Sequence, residues 1–208
     1  MALRLLGVLV LIAASASTLT ATDWPAVVIG LEKQVPRIEI LAPDAPGPGT
    51  CSGVVLNAES GYVLTAAHCT VEKAAYTVNG RHAELVRQNR ILDLAVLRAE
   101  LKDAKAMPLA KDPPAIGAEV ALVGFAFGAK RLHHQFGRVS QPLDDDGALI
   151  LDLMVIAGES GGPAINAAGE LIGMTSAVKF AHPSMHAAVL VPIAKVKDFV
   201  SAYLPKQP

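Results

Sequence analysis

Short apolar runs rich in β-branched residues recur along the chain, and turns containing glycine, proline or asparagine separate them. Runs of this kind are typical of β-strands. In the first half of the chain they predict strands over residues 25–31, 37–41, 51–56, 61–66, 76–78, 83–86 and 92–97. In the second half they predict strands over residues 119–123, 136–140, 148–153, 164–166, 171–175 and 187–191. The runs at 51–56 and 61–66 enclose a short polar turn and are expected to form a hairpin.

The C-terminal part of the chain follows a different period. Ile193, Val196, Val200 and Tyr203 recur at helical spacing, with charged side chains between them, which predicts a helix. Between the two groups of strands, residues 104–117 are rich in proline and predict a linker. Because small groups of strands avoid exposed edges by closing into barrels, we expect an all-β fold of two antiparallel barrels, each of about six strands, followed by the helix.

The composition limits the classes of protein that remain. The chain has 208 residues, of which 52% are hydrophobic and 18% charged, and its net charge is −1. A charged fraction this low excludes a disordered chain. The balanced charge provides no basic field for nucleic acid or for an anionic membrane, so neither is expected as a partner. The length suits one large domain or two small domains packed together.

The first residues have the pattern of a secretory signal peptide. A basic start over residues 1–4 precedes an apolar run over residues 5–14, and small residues follow up to Ala16. The run is too short to span a hydrocarbon core, which needs about 20 residues. We expect cleavage near Ala16 and export of residues 17–208 to the periplasm or the medium, without stable membrane association afterwards. A buried strand or helix, or an uncleaved anchor, is the alternative.

Export affects the interpretation of the two cysteines. Cys51 and Cys69 are the only cysteines in the sequence, and an oxidising compartment favours a disulfide between them. Two buried free thiols are the alternative. The spacing and number of the cysteines exclude a CxxC redox pair and a cysteine metal cluster.

Three segments carry residues suited to nucleophilic catalysis. His68 lies within TAAHC, Asp93 within LDLAVL and Ser160 within GESGGP, in that order along the chain. A serine hydroxyl needs a positioned base near neutral pH, imidazole can accept and return the proton, and a carboxylate can orient the imidazole. Gly158 permits a backbone conformation open to few other residues, in which its N–H and that of Ser160 could bind an oxyanion.

In these motifs the sequence resembles the chymotrypsin-like (trypsin-like) serine peptidases. The stretches SGVVLNAESGYVLTAAHC, LDLAVLRAE, VALVGFAFG and ELIGMTSAV are similar to the compact bacterial members and to the protease domain of the HtrA/Deg family. The resemblance covers most of residues 25–200. It implies two perpendicular six-stranded barrels with the active site between them, an N-terminal barrel over residues 25–103 and a C-terminal barrel with its helix over residues 118–208.

The resemblance also implies roles for individual residues. His68 is the general base, Asp93 the acid that orients it, and Ser160 the nucleophile that forms an acyl-enzyme. Gly158 and Ser160 supply the oxyanion hole, and the two cysteines match a disulfide that the family often has. The chain is then an exported endopeptidase that acts on proteins or peptides and requires no cofactor.

A substrate pocket is implied in the same way. Its base lies near Met154 and its wall is formed by Ser176, Ala177 and Val178, with Ser176 also bracing Asp93. The pocket base offers no carboxylate for a substrate Arg or Lys, and the strand that forms the wall lacks the histidine that glutamyl endopeptidases carry there. We expect a shallow apolar pocket that prefers small or medium apolar side chains.

Some features depart from the family pattern. Glu159 stands where the family usually has Asp or Asn, and its partner is left open. No zymogen activation sequence is visible, since Arg37-Ile38 is followed by Glu39-Ile40. Activity is therefore expected without further N-terminal cleavage. The PDZ modules of the HtrA/Deg family are expected to be absent.

Other interpretations of the same residues belong to different classes. GESGG also fits the nucleophile elbow of α/β-hydrolases. That elbow requires a helix directly after the serine, and Gly161-Gly162-Pro163 opposes a helix there. A catalytically inactive trypsin-like binding module is the alternative function, although such relatives usually lack a residue of the triad. The histidine pairs His133-His134 and His182/His186 lack the partners of a zinc site, so surface or loop roles and no metal are expected.

Overall fold

The computed structural model describes residues 21–43, 45–141, 147–182 and 185–205, with side chains for all of these except residues 177–186. The predicted signal peptide lies outside the described residues. In chain order the strands are β1 Arg37–Leu41, β2 Gly49–Ser52, β3 Val54–Asn57, β4 Tyr62–Ala66, β5 Ala75–Val78, β6 Arg81–Asn89, β7 Leu94–Ala99, β8 Glu119–Gly124, β9 His133–Gln141, β10 Leu149–Leu151, β11 Pro163–Ile165, β12 Leu171–His182 and β13 Met185–Pro192. The α-helices are α1 Trp24–Val28 and α2 Ile193–Val200.

Strands β1 to β7 form an antiparallel sheet of seven strands in the order β2-β1-β5-β6-β7-β4-β3. The predicted hairpin is present as β3 and β4. The single strand predicted over residues 51–56 is wrong, because Gly53 separates β2 from β3. A Cβ atom at Gly53 would lie 2.7 Å from Val63 Cγ1, so only glycine permits this close approach. Since β2 and β3 end the sheet and are consecutive in the chain, the sheet is a nearly closed barrel.

Strands β8 to β13 form a closed antiparallel barrel in the order β10-β13-β12-β11-β8-β9. Fully buried apolar side chains fill it, among them Val120, Leu122, Leu149, Ile172 and Leu190. A second apolar cluster contains buried residues of the first sheet, of the second barrel and of α2, and so joins the three. The predicted all-β fold of two barrels followed by a helix is confirmed, with seven strands in the first sheet instead of about six and with six in the second barrel.

The predicted strand over residues 25–31 is wrong, since the chain forms α1 there. Asp23 caps this helix by accepting a hydrogen bond from an N–H of the first turn (3.3 Å). Pro25 occupies the first turn, where its missing N–H has no helical partner to lose. Trp24 packs on Phe136 of β9 with ring centroids 5.3 Å apart. The apolar run thus covers β9 rather than extending a sheet.

The C-terminal helix α2 agrees with the predicted periodicity. Ile193, Val196 and Val200 are buried in the cluster shared by both sheets. Tyr203, just beyond the helix, packs edge-on against Tyr62 of β4 with ring centroids 5.0 Å apart. Neither α1 nor α2, nor any other helix in the described part of the chain, has the length and apolar character needed to cross a membrane.

The segment between β7 and β8 is hydrogen-bonded to both sheets. The Met107 N–H donates to the carbonyl oxygen of Val55 in β3 (2.9 Å), and the Ala110 N–H donates to that of Leu171 in β12 (3.0 Å). The connection is therefore fixed at both ends, which restricts the movement of one sheet relative to the other.

Candidate active site

His68 and Asp93 are brought together by the pairing of β4 with β7. The two strands are antiparallel and Ala66 pairs with Leu94, so the residues that follow β4 lie opposite the residue that precedes β7. The Ala67 N–H donates to the Asp93 carbonyl oxygen (3.1 Å), and His68 occupies the 3-10 turn that begins there. Strand pairing thus places the two backbones side by side.

The Asp93 carboxylate accepts hydrogen bonds on both oxygens. The His68 ring atom Nδ1 lies 2.8 Å from Oδ2 and 3.0 Å from Oδ1, and the His68 backbone N–H donates to Oδ1 (2.8 Å). The Ser176 hydroxyl donates to Oδ2 (2.5 Å). Because a carboxylate can only accept, Nδ1 carries the ring hydrogen, and Nε2 of the neutral ring keeps its lone pair. The His68 side chain is 47% exposed, which leaves this nitrogen accessible.

These contacts determine the charge of Asp93. Burial by itself would raise the pKa of Asp93, but the hydrogen bonds from the His68 ring, the Ser176 hydroxyl and the His68 N–H outweigh burial and hold the pKa below its ordinary value. Asp93 is therefore a carboxylate at neutral pH, as an orienting acceptor must be.

The lowered pKa predicts an acid-dependent contribution of Asp93 to stability. In the unfolded chain an aspartate titrates at about 3.9, so below this pH the unfolded state binds more protons than the folded state. The stabilisation is complete above the unfolded pKa and is lost as the pH falls through the folded pKa. Urea unfolding of the wild type and of Asp93→Asn should give a larger difference in unfolding free energy at pH 7 than at pH 3. A difference that stays constant over this range would contradict the prediction.

Ser160 lies in the turn between β10 and β11, and both sheets hold this turn. The Ser52 N–H, at the end of β2, donates to the Ser160 carbonyl oxygen (2.8 Å). The Gly161 N–H donates to the carbonyl oxygen of Thr175 in β12 (2.7 Å). Since Thr175 precedes Ser176, a single strand supports both the Ser160 turn and the hydroxyl that contacts Asp93.

Gly158 has a backbone conformation that requires glycine. Its φ is +98°, and a Cβ atom there would lie 2.2 Å from the Phe125 carbonyl oxygen. The Ser52 hydroxyl donates to the Gly158 carbonyl oxygen (2.8 Å) and accepts the Phe125 N–H (2.9 Å). Ser52 therefore fixes the direction of the Gly158 carbonyl group from the first sheet.

In the part of the chain that the structure describes, the N–H groups of Gly158 and Ser160 are free to bind a ligand. The Ala157 carbonyl oxygen accepts the Phe127 N–H (2.6 Å). Because C=O and N–H point in opposite directions in a trans peptide, the Gly158 N–H points away from Phe127. Within the described residues, the N–H groups of Gly158 and Ser160 donate to no protein acceptor. Both are thus available to a ligand oxygen.

A cleft of about 560 Å³ lies beside Ser160 and Ala157. Its lining consists of His68, Asp93, Val155, Ile156, Ala157, Ser160 and Ser176. The predicted pocket residue Met154 directly precedes this apolar wall, and 49% of it is exposed. The side chains of Ala177 and Val178, the other predicted pocket residues, lie outside those described.

The two cysteines form a disulfide, which confirms the predicted pairing. It joins Cys51 in β2 to Cys69 in the turn that carries His68, with their Cα atoms 6.3 Å apart. Closing a loop of this length stabilises a fold by about 3 kcal/mol in the chain-entropy model. The bond therefore connects the strand that supports the Ser160 turn with the turn that positions His68.

The family model of the trypsin-like peptidase domain matches residues 51–174, a stretch that contains His68, Asp93 and Ser160. The chain belongs to the trypsin-like peptidase family. The matched residues run from the first cysteine of the disulfide into β12 and end just before Thr175 and Ser176.

Two relatives of this trypsin-like peptidase are bacterial serine endoproteases. The chain is 31% identical over 150 residues to the periplasmic pH-dependent serine endoprotease DegQ of Escherichia coli (strain K12), covering 65% of this chain and 33% of that protein. It is 32% identical over 170 residues to a probable periplasmic serine endoprotease DegP-like of Brucella suis biovar 1 (strain 1330), covering 74% of this chain and 33% of that protein. This trypsin-like peptidase spans about a third of the length of these relatives.

Solved structures show the same fold. The Rv3671c protease from M. tuberculosis, in its active form, superposes with a TM-score of 0.74 at 20% identity, covering 88% of this chain and 86% of that one. The serine endoprotease from Yersinia pestis superposes with a TM-score of 0.72 at 21% identity, covering 88% of this chain and 67% of that one.

The structure also shows the partners of Glu159, which sequence reasoning left open. Glu159, which lies between Gly158 and Ser160, is fully buried and accepts hydrogen bonds from His133 and Gln135 of β9. The surface or loop role expected for His133 is therefore incomplete, because this histidine lies on a strand and has an acidic partner. The signal in the sequence was the glutamate itself, which departs from the family pattern at this position.

Proposed function

We propose that this trypsin-like peptidase is a serine endopeptidase that cleaves proteins or peptides through an acyl-enzyme on Ser160. The observation that carries the proposal is the orientation of the His68 ring. Asp93 accepts the Nδ1 hydrogen (2.8 Å), so Nε2 is the nitrogen left to accept a proton in the cleft that His68 shares with Ser160. This is the arrangement a serine nucleophile needs.

In the proposed reaction, Ser160 Oγ attacks the substrate carbonyl carbon and His68 Nε2 takes the hydroxyl proton. The tetrahedral adduct collapses when His68 returns the proton to the leaving amine, which breaks the peptide bond and leaves the acyl-enzyme. A water molecule then attacks the acyl carbon with His68 again as base, and the second adduct collapses when His68 returns this proton to Ser160 Oγ, which breaks the ester bond and releases the acid product. Asp93 stabilises the imidazolium that forms at each attack.

The oxyanion of each tetrahedral adduct is assigned to the N–H groups of Gly158 and Ser160. The conformation of Gly158, the hydrogen bond from Ser52 to its carbonyl oxygen and the lack of a described acceptor for either N–H support this role. Losing one such donor costs about 10²–10³ in rate in other enzymes.

A fluorophosphonate probe tests the nucleophile directly. The purified wild type should be labelled, Ser160→Ala should not be labelled, and the matched variant Ser60→Ala, at an exposed serine in the β3–β4 turn, should be labelled like the wild type. Absence of labelling in the folded wild type would favour the alternative, an inactive binding module of the same family.

The cleft wall supports a preference for small or medium apolar side chains before the scissile bond. Val155, Ile156 and Ala157 line the cleft without offering a charge, and Met154 adds none beside them. A substrate Arg or Lys would thus enter with an unpaired charge. Profiling on an unbiased peptide library should show Val, Ala or Leu, with about 1–3 kcal/mol between neighbours that differ by a methylene. A dominant preference for Arg, Lys or Glu would overturn this assignment without affecting the triad.

We also propose export with removal of residues 1–16. The charged start, the apolar run and the small residues near Ala16 support a cleaved leader, and the DegQ and DegP-like relatives are named as periplasmic. The intact mass of the exported protein should correspond to a chain that begins at Ser17. A mass that still includes the leader would contradict the proposal.

A further inference from the structure

Glu159 has a buried carboxyl group that the proposed reaction does not use. Among the described residues it is the one charged side chain that is buried, with no exposed surface. Burying a carboxylate is costly unless hydrogen bonds replace its water shell. The groups that supply those hydrogen bonds therefore determine whether the turn containing Ser160 is stable in this conformation.

Three donors surround the Glu159 carboxylate. His133 Nδ1 lies 2.8 Å from Oε1, and Gln135 Nε2 donates to Oε1 (3.1 Å) and to Oε2 (2.9 Å). The backbone N–H of Ile156 donates to Oε2 (2.8 Å). His133 and Gln135 are alternate residues of β9, so their side chains leave the strand on the same face. The carboxylate thus joins β9 to the segment that leads to Ser160.

Gln135 and Glu159 also hold the apolar wall of the cleft through hydrogen bonds to its backbone. Gln135 Nε2 also donates to the Met154 carbonyl oxygen (2.8 Å), and the Glu159 N–H donates to the Ile156 carbonyl oxygen (3.0 Å). Both ends of the short segment that includes Val155 are therefore held through Glu159 and Gln135. This segment forms the apolar wall and continues directly into Gly158.

We propose that Glu159, His133 and Gln135, together called the carboxylate clamp, are positioning residues for hydrolysis. The clamp sets the position of the cleft wall and of the Gly158 and Ser160 N–H groups without touching the substrate. The inference rests on the proposed function. It accounts for glutamate at position 159, because the side chain reaches donors on β9.

Glu159→Gln removes the charge while keeping the size of the side chain. The amide nitrogen that replaces one carboxylate oxygen would face either the Ile156 N–H or the donors of β9. Because this nitrogen cannot accept a hydrogen bond, at least one of the hydrogen bonds to residue 159 would be lost. With a peptide amide substrate, kcat/KM should fall by about 10²-fold. Most of the loss should appear in kcat and in the affinity for a peptide boronate, whose tetrahedral adduct places an oxygen at the two N–H groups. Glu119→Gln, which breaks an exposed ion pair with Arg138 on the same barrel, is the matched control and should behave like the wild type.

Substitutions at the β9 partners should disturb folding less than a substitution at Glu159, because the His133 side chain is 43% exposed whereas that of Glu159 is fully buried. His133→Ala removes a donor and should lower kcat/KM by at least about tenfold, whereas His133→Asn, which keeps an N–H near the position of Nδ1, should restore most of it. Gln135→Ala should resemble His133→Ala. Removing a donor from the buried carboxylate should also lower the unfolding midpoint, so the rates are compared at a temperature at which all three β9 variants are folded.

Several results would overturn the positioning role proposed for the carboxylate clamp. Glu159→Gln and Gln135→Ala with wild-type kcat and wild-type boronate affinity would do so, as would equal activity of His133→Ala and His133→Asn. Losses that vanish once rates are corrected for the folded fraction would show a structural role only. A wild type that reacts with neither fluorophosphonate nor boronate would instead overturn the proposed function, and the role of the clamp with it.

Discussion

Replacement of Ser160 by alanine is expected to lower kcat for peptide hydrolysis by about 10⁴–10⁶-fold. The variant lacks the oxygen that is proposed to form the acyl-enzyme, while the contacts of the turn are made by backbone groups that alanine retains. The Ser52 N–H still has the carbonyl oxygen of residue 160 as its acceptor, and the Gly161 N–H still has that of Thr175. Initial rates with a fluorogenic peptide, with unfolding curves recorded alongside, check both parts of the expectation.

The matching variant at the proposed base, His68, tests whether the measured hydrolysis comes from this site or from a contaminating peptidase. His68→Ala should lose activity to a similar extent, and the double variant should lose little more, because the two residues act as one unit. Near-wild-type hydrolysis by purified His68→Ala would refute the assigned base. Residual activity that disappears on further purification would identify a contaminating peptidase.

Replacement of Asp93 by asparagine is expected to lower kcat by about 10⁴-fold at neutral pH. The asparagine amide can donate to His68 Nδ1, which would move the ring hydrogen to Nε2 and remove the lone pair that accepts the Ser160 proton in the proposed reaction. With the amide nitrogen at the Oδ2 position, the amide oxygen still accepts the His68 backbone N–H and the Ser176 hydroxyl can accept from the nitrogen, so the geometry of the site should persist.

Ser176→Ala is the control for this prediction. It removes one donor to Asp93 but leaves the two contacts with His68, so its loss of kcat should be much smaller than that of Asp93→Asn. Fluorophosphonate labelling should fall in parallel with kcat in both variants. Asp93→Asn with activity close to that of the wild type would show that His68 is oriented by another group.

Most of the fold could be predicted because its strands are short and have a clear hydrophobic pattern. The pattern could not show where a strand is interrupted, since the break at Gly53 depends on the approach of Val63 from a neighbouring strand. It also could not separate a short helix from a strand in residues 25–31. There the cap at Asp23 and the proline in the first turn determine the result, and the apolar residues do not.

The candidate site was predictable to the extent that its residues lie in local motifs. His68, Asp93 and Ser160 each stand in a recognisable stretch, and the structure lines one cleft with all three. The partners of Glu159 have no local motif. His133 and Gln135 reach this carboxylate only because β9 pairs with β8, which pairs with β11 directly after the Ser160 turn. Such a contact depends on strand order, which apolar periodicity does not encode.

The disulfide between Cys51 and Cys69 encloses the β3–β4 hairpin, whose turn exposes Glu59 and Ser60. A backbone cut in this turn would leave the two fragments joined through sulfur. Electrophoresis without a reductant would then show a single band of full mass, and only reduction would separate the fragments. An unbroken band under oxidising conditions is therefore no evidence that the polypeptide is continuous between the two cysteines.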